Sequence, residues 1–379
     1  MLKKVEIRNY RTFKGKITID FTDIGNYDYC GECLENEIIT KMLIYGKNST
    51  GKTNLGKAIL DIQNVLGSAI QPKTRFLLNA DSVNSDVHFL YLFEFGGNEL
   101  IYEYTKDTTG QLLDESMSYN KNRVFYIDFE RKTARFDGLN YLEEGAINYN
   151  RFWNNYLNNE EETRLPFLRW IIENLALSNM SHLLDLSDYV VHMKMVRGVA
   201  KSNPLGKGSY AEMCRYLYDD KELLRTFEAY LNQMGVKCKL VVRKLPDGTH
   251  EMYFKHDRLV PFYSTASSGT ISAVELYRNI FMWEKAPSFL YLDEFDALYH
   301  YEMAEKLFSF IKREYPSTQV VITSHNTNLM TNRLVRPDCV AILSVSGQLT
   351  TLLHATSRDI REAHNLEKMY ISGEFVDVE

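Results

Sequence analysis

The sequence predicts a mixed α/β head built on a phosphate-binding loop, with an antiparallel β subdomain and a helical insertion. Three observations predict it. An apolar run at 38–45 ends at Gly46 in a glycine-framed loop, and helical spacing follows at 52–66. Between 86 and 137, short aromatic and β-branched runs alternate with Gly, Asn and Asp, as in an antiparallel meander. Between 150 and 234 the apolar residues recur at helical spacing instead.

The chain has 379 residues, a soft prior of two or three units. Its 45% hydrophobic and 25% charged residues are ordinary globular usage and exclude a disordered or fibrous chain. Lys plus Arg number 44 against 50 for Asp plus Glu, a formal net charge of −6. That balance argues against a surface coated for nucleic acid while leaving room for a local basic groove. Five cysteines, at 30, 33, 214, 238 and 339, are odd in number and scattered, which suits a reducing cytoplasm better than a disulfide framework. Cys30-Gly-Glu-Cys33 lacks the second ligand pair that a zinc site needs and reads as a plain loop. No run approaches about 18 consecutive apolar residues, so no membrane span is expected. The opening Met-Leu-Lys-Lys-Val-Glu leads straight into a strand pattern rather than a secretory signal.

In chain order, 2–9 and 16–21 alternate as half-buried strands do. Leu55, Ile59, Ile62 and Leu66 give 52–66 one apolar face. Leu168, Ile171, Ile172 and Leu175 mark one helix of the insertion, and Met213, Leu217, Leu224, Phe227 and Leu231 mark others. Pro166 and Pro204 divide this stretch into shorter helices, and 201–209 reads as a turn-rich linker. A hairpin is expected around Pro246-Asp247-Gly248. A helix at 269–284, a strand at 288–292, a helix near 299–314, a strand at 318–323 and strand-like runs at 339–345 and 349–353 follow. The end, from Ile371, reads as a loose acidic tail. These patterns divide the chain into an N-terminal lobe at 1–149, a helical insertion at 150–235 and a C-terminal lobe at 236–379.

Gly46-Lys47-Asn48-Ser49-Thr50-Gly51-Lys52-Thr53 fits GxxxxGK[ST] without mismatch. Its glycines let the backbone curl so that N–H groups point at phosphate oxygens. Lys52 supplies charge to the outer phosphates, the Thr53 hydroxyl can ligate Mg²⁺, and the helix that follows, through Asn54, adds its positive dipole end. The buried-strand run 288–292 ends in Asp293-Glu294. Asp293 at the strand tip suits Mg²⁺, and Glu294 suits a general base for water. Ser267-Ser268-Gly269-Thr270 opens a helix and forms an anion-binding turn, one that a second copy of the chain could offer to a γ-phosphate. His325 follows an apolar strand, where it can reach the γ-phosphate or the attacking water. His300, in the run LYHYE, reads first as a helix-face residue without chemistry. No NKxD run reads guanine, since Asn120-Lys121-Asn122-Arg123 lacks the acid.

The order of these motifs resembles the ATP-binding-cassette class of ATPases. The resemblance makes 267–270 the signature motif, Asp293-Glu294 the Walker B pair, Phe295-Asp296-Ala297-Leu298 the D-loop and His325 the switch histidine. The opening IRNYRTFKGKITIDF is similar to non-transporter members such as chromosome-maintenance and RecF-type heads, which implies that Arg11 approaches the nucleotide. SSGT, DEFDALYH and TSHN match best the AAA-domain proteins of the OLD and abortive-infection type. The resemblance covers about 1–70 and 260–345. The signature departs from the LSGGQ form, and Gln71 is only a weak candidate for the family's glutamine lid.

What the resemblance implies is an ATPase using ATP and Mg²⁺, with cofactor contacts at Gly46–Asn54, Arg11 and Ser267–Gly269. It implies catalysis by Glu294, His325 and Lys52, and metal ligation by Thr53 and Asp293. It also implies a head-to-tail dimer or higher oligomer and a role in anti-phage defence beside a separate nuclease or toxin. Two rival readings use the same site: an ATP-gated scaffold that holds a toxin with little turnover, and a RecF-like DNA-repair ATPase. The net charge does not indicate nucleic acid, and no membrane partner is expected.

Overall fold

The computed structural model describes residues 1–67, 77–138, 152, 164–174, 182–197, 207–282, 285–295 and 301–375. Gln71, His300, Asp296–Leu298, the 201–206 part of the linker and the last four residues of the tail lie outside them.

The chain opens with β1 (Leu2–Tyr10) and β2 (Phe13–Asp20), an antiparallel pair. The run at 38–45 divides at Thr40. Its first part, β4 (Ile38–Ile39), pairs with β3 (Leu34–Glu35), and the rest, β5 (Lys41–Tyr45), leads to the phosphate loop. The helical stretch after the loop also divides, into α1 (Lys52–Ile59) and α2 (Ile62–Leu66). Buried Asp61 stands at the break. Its carboxylate accepts from Lys106 Nζ at 2.5 Å and Tyr104 OH at 2.8 Å, which pins the chain there to the β subdomain. The meander comprises β6 (Val87–Phe95), β7 (Asn98–Lys106), β8 (Leu112–Tyr119), β9 (Asn122–Asp128) and β10 (Thr133–Arg135).

The insertion supplies α3 (Phe167–Asn174), immediately after Pro166, then α4 (His182–Val191). It then departs from the helical expectation: Met193–Arg197 is a strand, β11. Helices resume at α5 (Lys207–Asp219) and α6 (Lys221–Gln233), the latter capped by Asp220. The expected hairpin forms from β12 (Leu240–Lys244) and β13 (His250–Lys255), and β14 (Leu259–Pro261) extends it. Next come α7 (Phe262–Thr265), α8 (Ser268–Phe281), β15 (Phe289–Asp293), α9 (Tyr301–Glu314) and β16 (Gln319–Ser324). The last elements are β17 (Val340–Leu343), β18 (Leu349–Thr351) and α10 (Leu366–Ile371). Phe375 is buried, so packed structure extends into the stretch read as a loose tail.

Two sheets position the site. The antiparallel sheet runs β10-β9-β8-β7-β6-β1-β2. The central sheet runs β11-β15-β16-β5-β17-β18 and is parallel except for β18. Helix α1 packs between them. Tyr91 of β6 donates to the Ala58 carbonyl at 2.9 Å, while Tyr291 of β15 lies against Gly56 on the other side. A Cβ at Gly56 would stand 2.5 Å from that ring, so glycine is what lets helix and strand approach. Buried Gln319 joins the sheets: its Nε2 donates to the Leu2 carbonyl, and its Oε1 accepts from the Leu2 N–H, each at 2.8 Å. The hydroxyl of Tyr189 on α4 donates to the same Oε1 at 2.5 Å, tying in the insertion.

Candidate phosphate-binding site

In a parallel sheet, loops at the carboxyl ends of the strands share one crevice. Here β5, β15 and β16 end side by side, which brings the phosphate loop, the acid pair and His325 together. Asn48, Ser49, Gly51, Lys52, Thr53 and Asn54 line one open pocket together with Glu294, His325 and Thr12.

The loop curls as its composition requires. Gly51 has φ +105°, and a Cβ there would lie 2.4 Å from Thr12 Oγ1, so both backbone angle and space exclude a side chain. The Lys52 ammonium, almost wholly buried, donates to the carbonyls of Gly46 at 2.6 Å and Lys47 at 3.0 Å. It also stands 3.3 Å from Nδ1 of His325. An ammonium has no lone pair, so in this contact Nδ1 accepts and the ring proton sits on Nε2.

Thr53 Oγ1 donates to Asp293 Oδ2 at 2.7 Å, and the Asp293 side chain is fully buried. A hydroxyl and a carboxylate at this separation form a hard oxygen pair that fits Mg²⁺. Thr323 on β16 holds the acid turn. Its hydroxyl donates to Asp293 Oδ1 at 3.1 Å and accepts the Glu294 N–H at 2.9 Å. Glu294 has φ 52°, an uncommon angle for a non-glycine residue, and this bond supports it.

Arg197, at the tip of β11, completes the cluster. Its Nε donates to Asp293 Oδ2 at 3.1 Å, and its Nη2 lies 3.4 Å from Thr53 Oγ1. Lys57 is held below the usual lysine range, first by burial and then by the guanidinium groups of Arg11 and Arg197. Arg11 itself sits at the β1–β2 turn, which packs on the phosphate loop through Thr12 Oγ1, the acceptor from Asn54 Nδ2 at 3.3 Å. Arg11 has φ 48°, and its carbonyl accepts from Asn79 Nδ2 at 2.6 Å.

The structure thus gathers Lys52, Thr53, Asn54, Asp293, Glu294 and His325, with Arg11 nearby. It does not bring Ser267, Ser268 and Gly269 to the same pocket. Ser267 caps α8, accepting the Thr270 N–H at 3.2 Å, and Ser267 and Ser268 are exposed. Cys30 and Cys33 direct their thiols at the carbonyls of Asn332 and Leu334, a packing role. Among the described residues no group of three His, Cys, Asp or Glu side chains could hold a metal ion, and no helix is long and apolar enough to cross a membrane. Sequence reasoning gave no role to Thr12, Thr323 or Arg197, although Thr323 opens the TSHN run. Thr323 stands in the apolar run just before Ser324-His325, and Arg197 ends the short run Met193–Val196, so strand ends were the available signal.

The fold is that of an SMC or ATP-binding-cassette type of head. The fold is similar to a solved structure described as an SmcHead bound to the C-winged helix domain of ScpA, at 15% identity and TM-score 0.50, covering 92% of this chain and 97% of that one. The SMC head domain from Thermotoga maritima follows at 14% identity and TM-score 0.46, covering 92% and 98%. A Pyrococcus furiosus Smc head with an extended coiled coil, bound to the C-terminal domain of ScpA, gives 14% identity and TM-score 0.44, covering 98% of each chain. No curated protein matches the sequence. The chain belongs to the family described as "AAA domain, putative AbiEii toxin, Type IV TA system", whose pattern matches residues 41–331.

Proposed function

We propose that this chain is an ATPase that closes head-to-tail on a second copy around two ATP molecules and regulates a separate effector in abortive-infection defence. One observation carries the reading. The phosphate loop, Glu294 and His325 converge on one pocket, with Asp293 bonded to Thr53 of its lining, while the turn Ser267–Gly269, exposed at both serines, does not line it. A site divided this way suits completion by a partner copy. The family match supports the defence context.

In this reading the loop N–H groups and Lys52 hold the triphosphate, and binding draws Lys52 off the carbonyls of Gly46 and Lys47. Thr53 and Asp293 would hold a magnesium ion, which neutralises charge on the outer phosphates when bound. Glu294 takes the proton of the attacking water, and His325 orients the transferred group. Ser268 and Gly269 of the second copy contact the γ-phosphate, and the insertion offers the partner surface.

Phosphate release and sedimentation of Glu294→Gln test this. The variant should bind ATP, hydrolyse it about 10²–10⁴-fold more slowly and accumulate a closed dimer or higher oligomer. An unchanged turnover rate would remove Glu294 from the mechanism. Turnover rising when a candidate effector protein is added favours regulation over a passive ATP-gated scaffold.

A further inference from the structure

Arg197 is where this site departs most from what its motifs imply. Its strand, β11, pairs in parallel with β15, and Arg197 is the register partner of Asp293. The contact is therefore built into the sheet. Asp293 Oδ2 receives both the Thr53 hydroxyl at 2.7 Å and Arg197 Nε at 3.1 Å. A carboxylate oxygen has two lone-pair directions, and these two donors occupy both. The same guanidinium approaches Thr53 Oγ1 at 3.4 Å. Both oxygens that suit a divalent cation thus face one monovalent cation, whose side chain is 60% exposed and free to leave towards solvent.

We infer that Arg197 is a resident counter-ion of the Thr53–Asp293 pair, one that a divalent metal must displace; this rests on the reading of that pair as the metal site. Asp293 is fully buried, and Arg197 is a cation that pairs with it directly at 3.1 Å, offsetting the cost of burying the carboxylate while keeping both oxygens in position. Displacement has a directional consequence. A divalent metal at Asp293 would add its charge beside Lys57, on which the Arg11 guanidinium already presses. Only an anion relieves that crowding, so a metal arriving alone is opposed and a metal arriving with a polyphosphate is not. Arg197 is a positioning residue that makes metal binding conditional on nucleotide.

A Mn²⁺ titration of the nucleotide-free full chain, followed by water-proton relaxation enhancement, reads this without reference to turnover. Wild type should bind Mn²⁺ weakly, and Arg197→Ala should tighten binding about fivefold to tenfold. Arg197→Lys, which keeps the charge without the planar fork, should fall between the two. If Arg197→Ala loses its fold, Arg197→Gln carries the same expectation. Unchanged or weaker Mn²⁺ binding in the folded variant overturns the inference. Asp293→Asn separates it from the reading beneath. Mn²⁺ binding that survives Asp293→Asn removes the metal site and the inference with it. Loss of binding in Asp293→Asn, with no gain in Arg197→Ala, keeps the site and removes only the competition.

Discussion

Tyr291 donates its phenolic hydrogen to the carbonyl oxygen of Lys52 at 2.5 Å, so the strand carrying the acid pair grips the first turn of the phosphate-loop helix. Gly56, one turn further on, leaves room for the ring. Gly56→Ala places a methyl 2.5 Å from Tyr291 Cδ1, with that side chain fully buried. Overpacking of this kind costs about 1–3 kcal/mol. Denaturant unfolding should show that loss in the wild-type background and a smaller one in a Tyr291→Ala background, because the clash is with the ring. Equal losses in both would place the strain elsewhere.

Thr323 is bonded to both acids, and removing its hydroxyl tests how the turn is held. Thr323→Val preserves shape in a fully buried position, so its effect isolates the two hydrogen bonds. It leaves the Glu294 N–H without this acceptor in a left-handed conformation. The expected cost is about 1–3 kcal/mol of unfolding free energy. If Glu294 acts as the base, turnover should fall further than ATP affinity does.

Much of this architecture is legible in residue order, and the remainder fails for identifiable reasons. The phosphate loop and the Asp293-Glu294 strand declare themselves because their chemistry is local: each needs a fixed run of neighbouring residues. The meander is legible because one buried face imposes alternation, as in Val87, Phe89, Tyr91 and Phe93. Strand β11 is not. A five-residue parallel strand carries too short a pattern to stand out between helices. The break at Asp61 is hidden for another reason, since its partners Tyr104 and Lys106 lie on a distant strand. Arg197 combines both difficulties, as its meaning exists only through its register with Asp293.

Glu115 gives the fold a pH dependence. It is fully buried, accepts from Tyr102 OH at 2.8 Å and caps the start of α3 through the Phe167 N–H. Burial outweighs these bonds and pushes its carboxyl up to about 7. The folded state therefore holds this proton at pH values where the unfolded chain has released it. Stability from this group is present below the ordinary carboxyl range and is lost as pH rises from about 4.5 to about 7. The full effect is about 3 kcal/mol. Unfolding free energies at pH 5 and pH 8 should differ more in wild type than in Glu115→Gln, which cannot ionise. Parallel profiles would show that Glu115 stays charged.

The turn at Ser267–Gly269, exposed at both serines, yields a test of a shared site, because mixing two dead variants distinguishes action across copies from action within one. Lys52→Ala disables the phosphate loop, and Ser268→Glu, at an exposed position of the turn, sets a carboxylate where a γ-phosphate would dock. Each variant alone should be inactive. In a mixed dimer one site combines both lesions, and the other combines an intact loop with an intact turn. Random mixing makes half of the dimers mixed, each with one working site of two. Phosphate release should therefore return to about a quarter of the wild-type rate if the two sites act independently. A turn that served its own chain's nucleotide would leave every site defective, and the mixture would stay silent. Recovery should also disappear on dilution below the dimer dissociation constant, which ties the regained activity to the contact between copies.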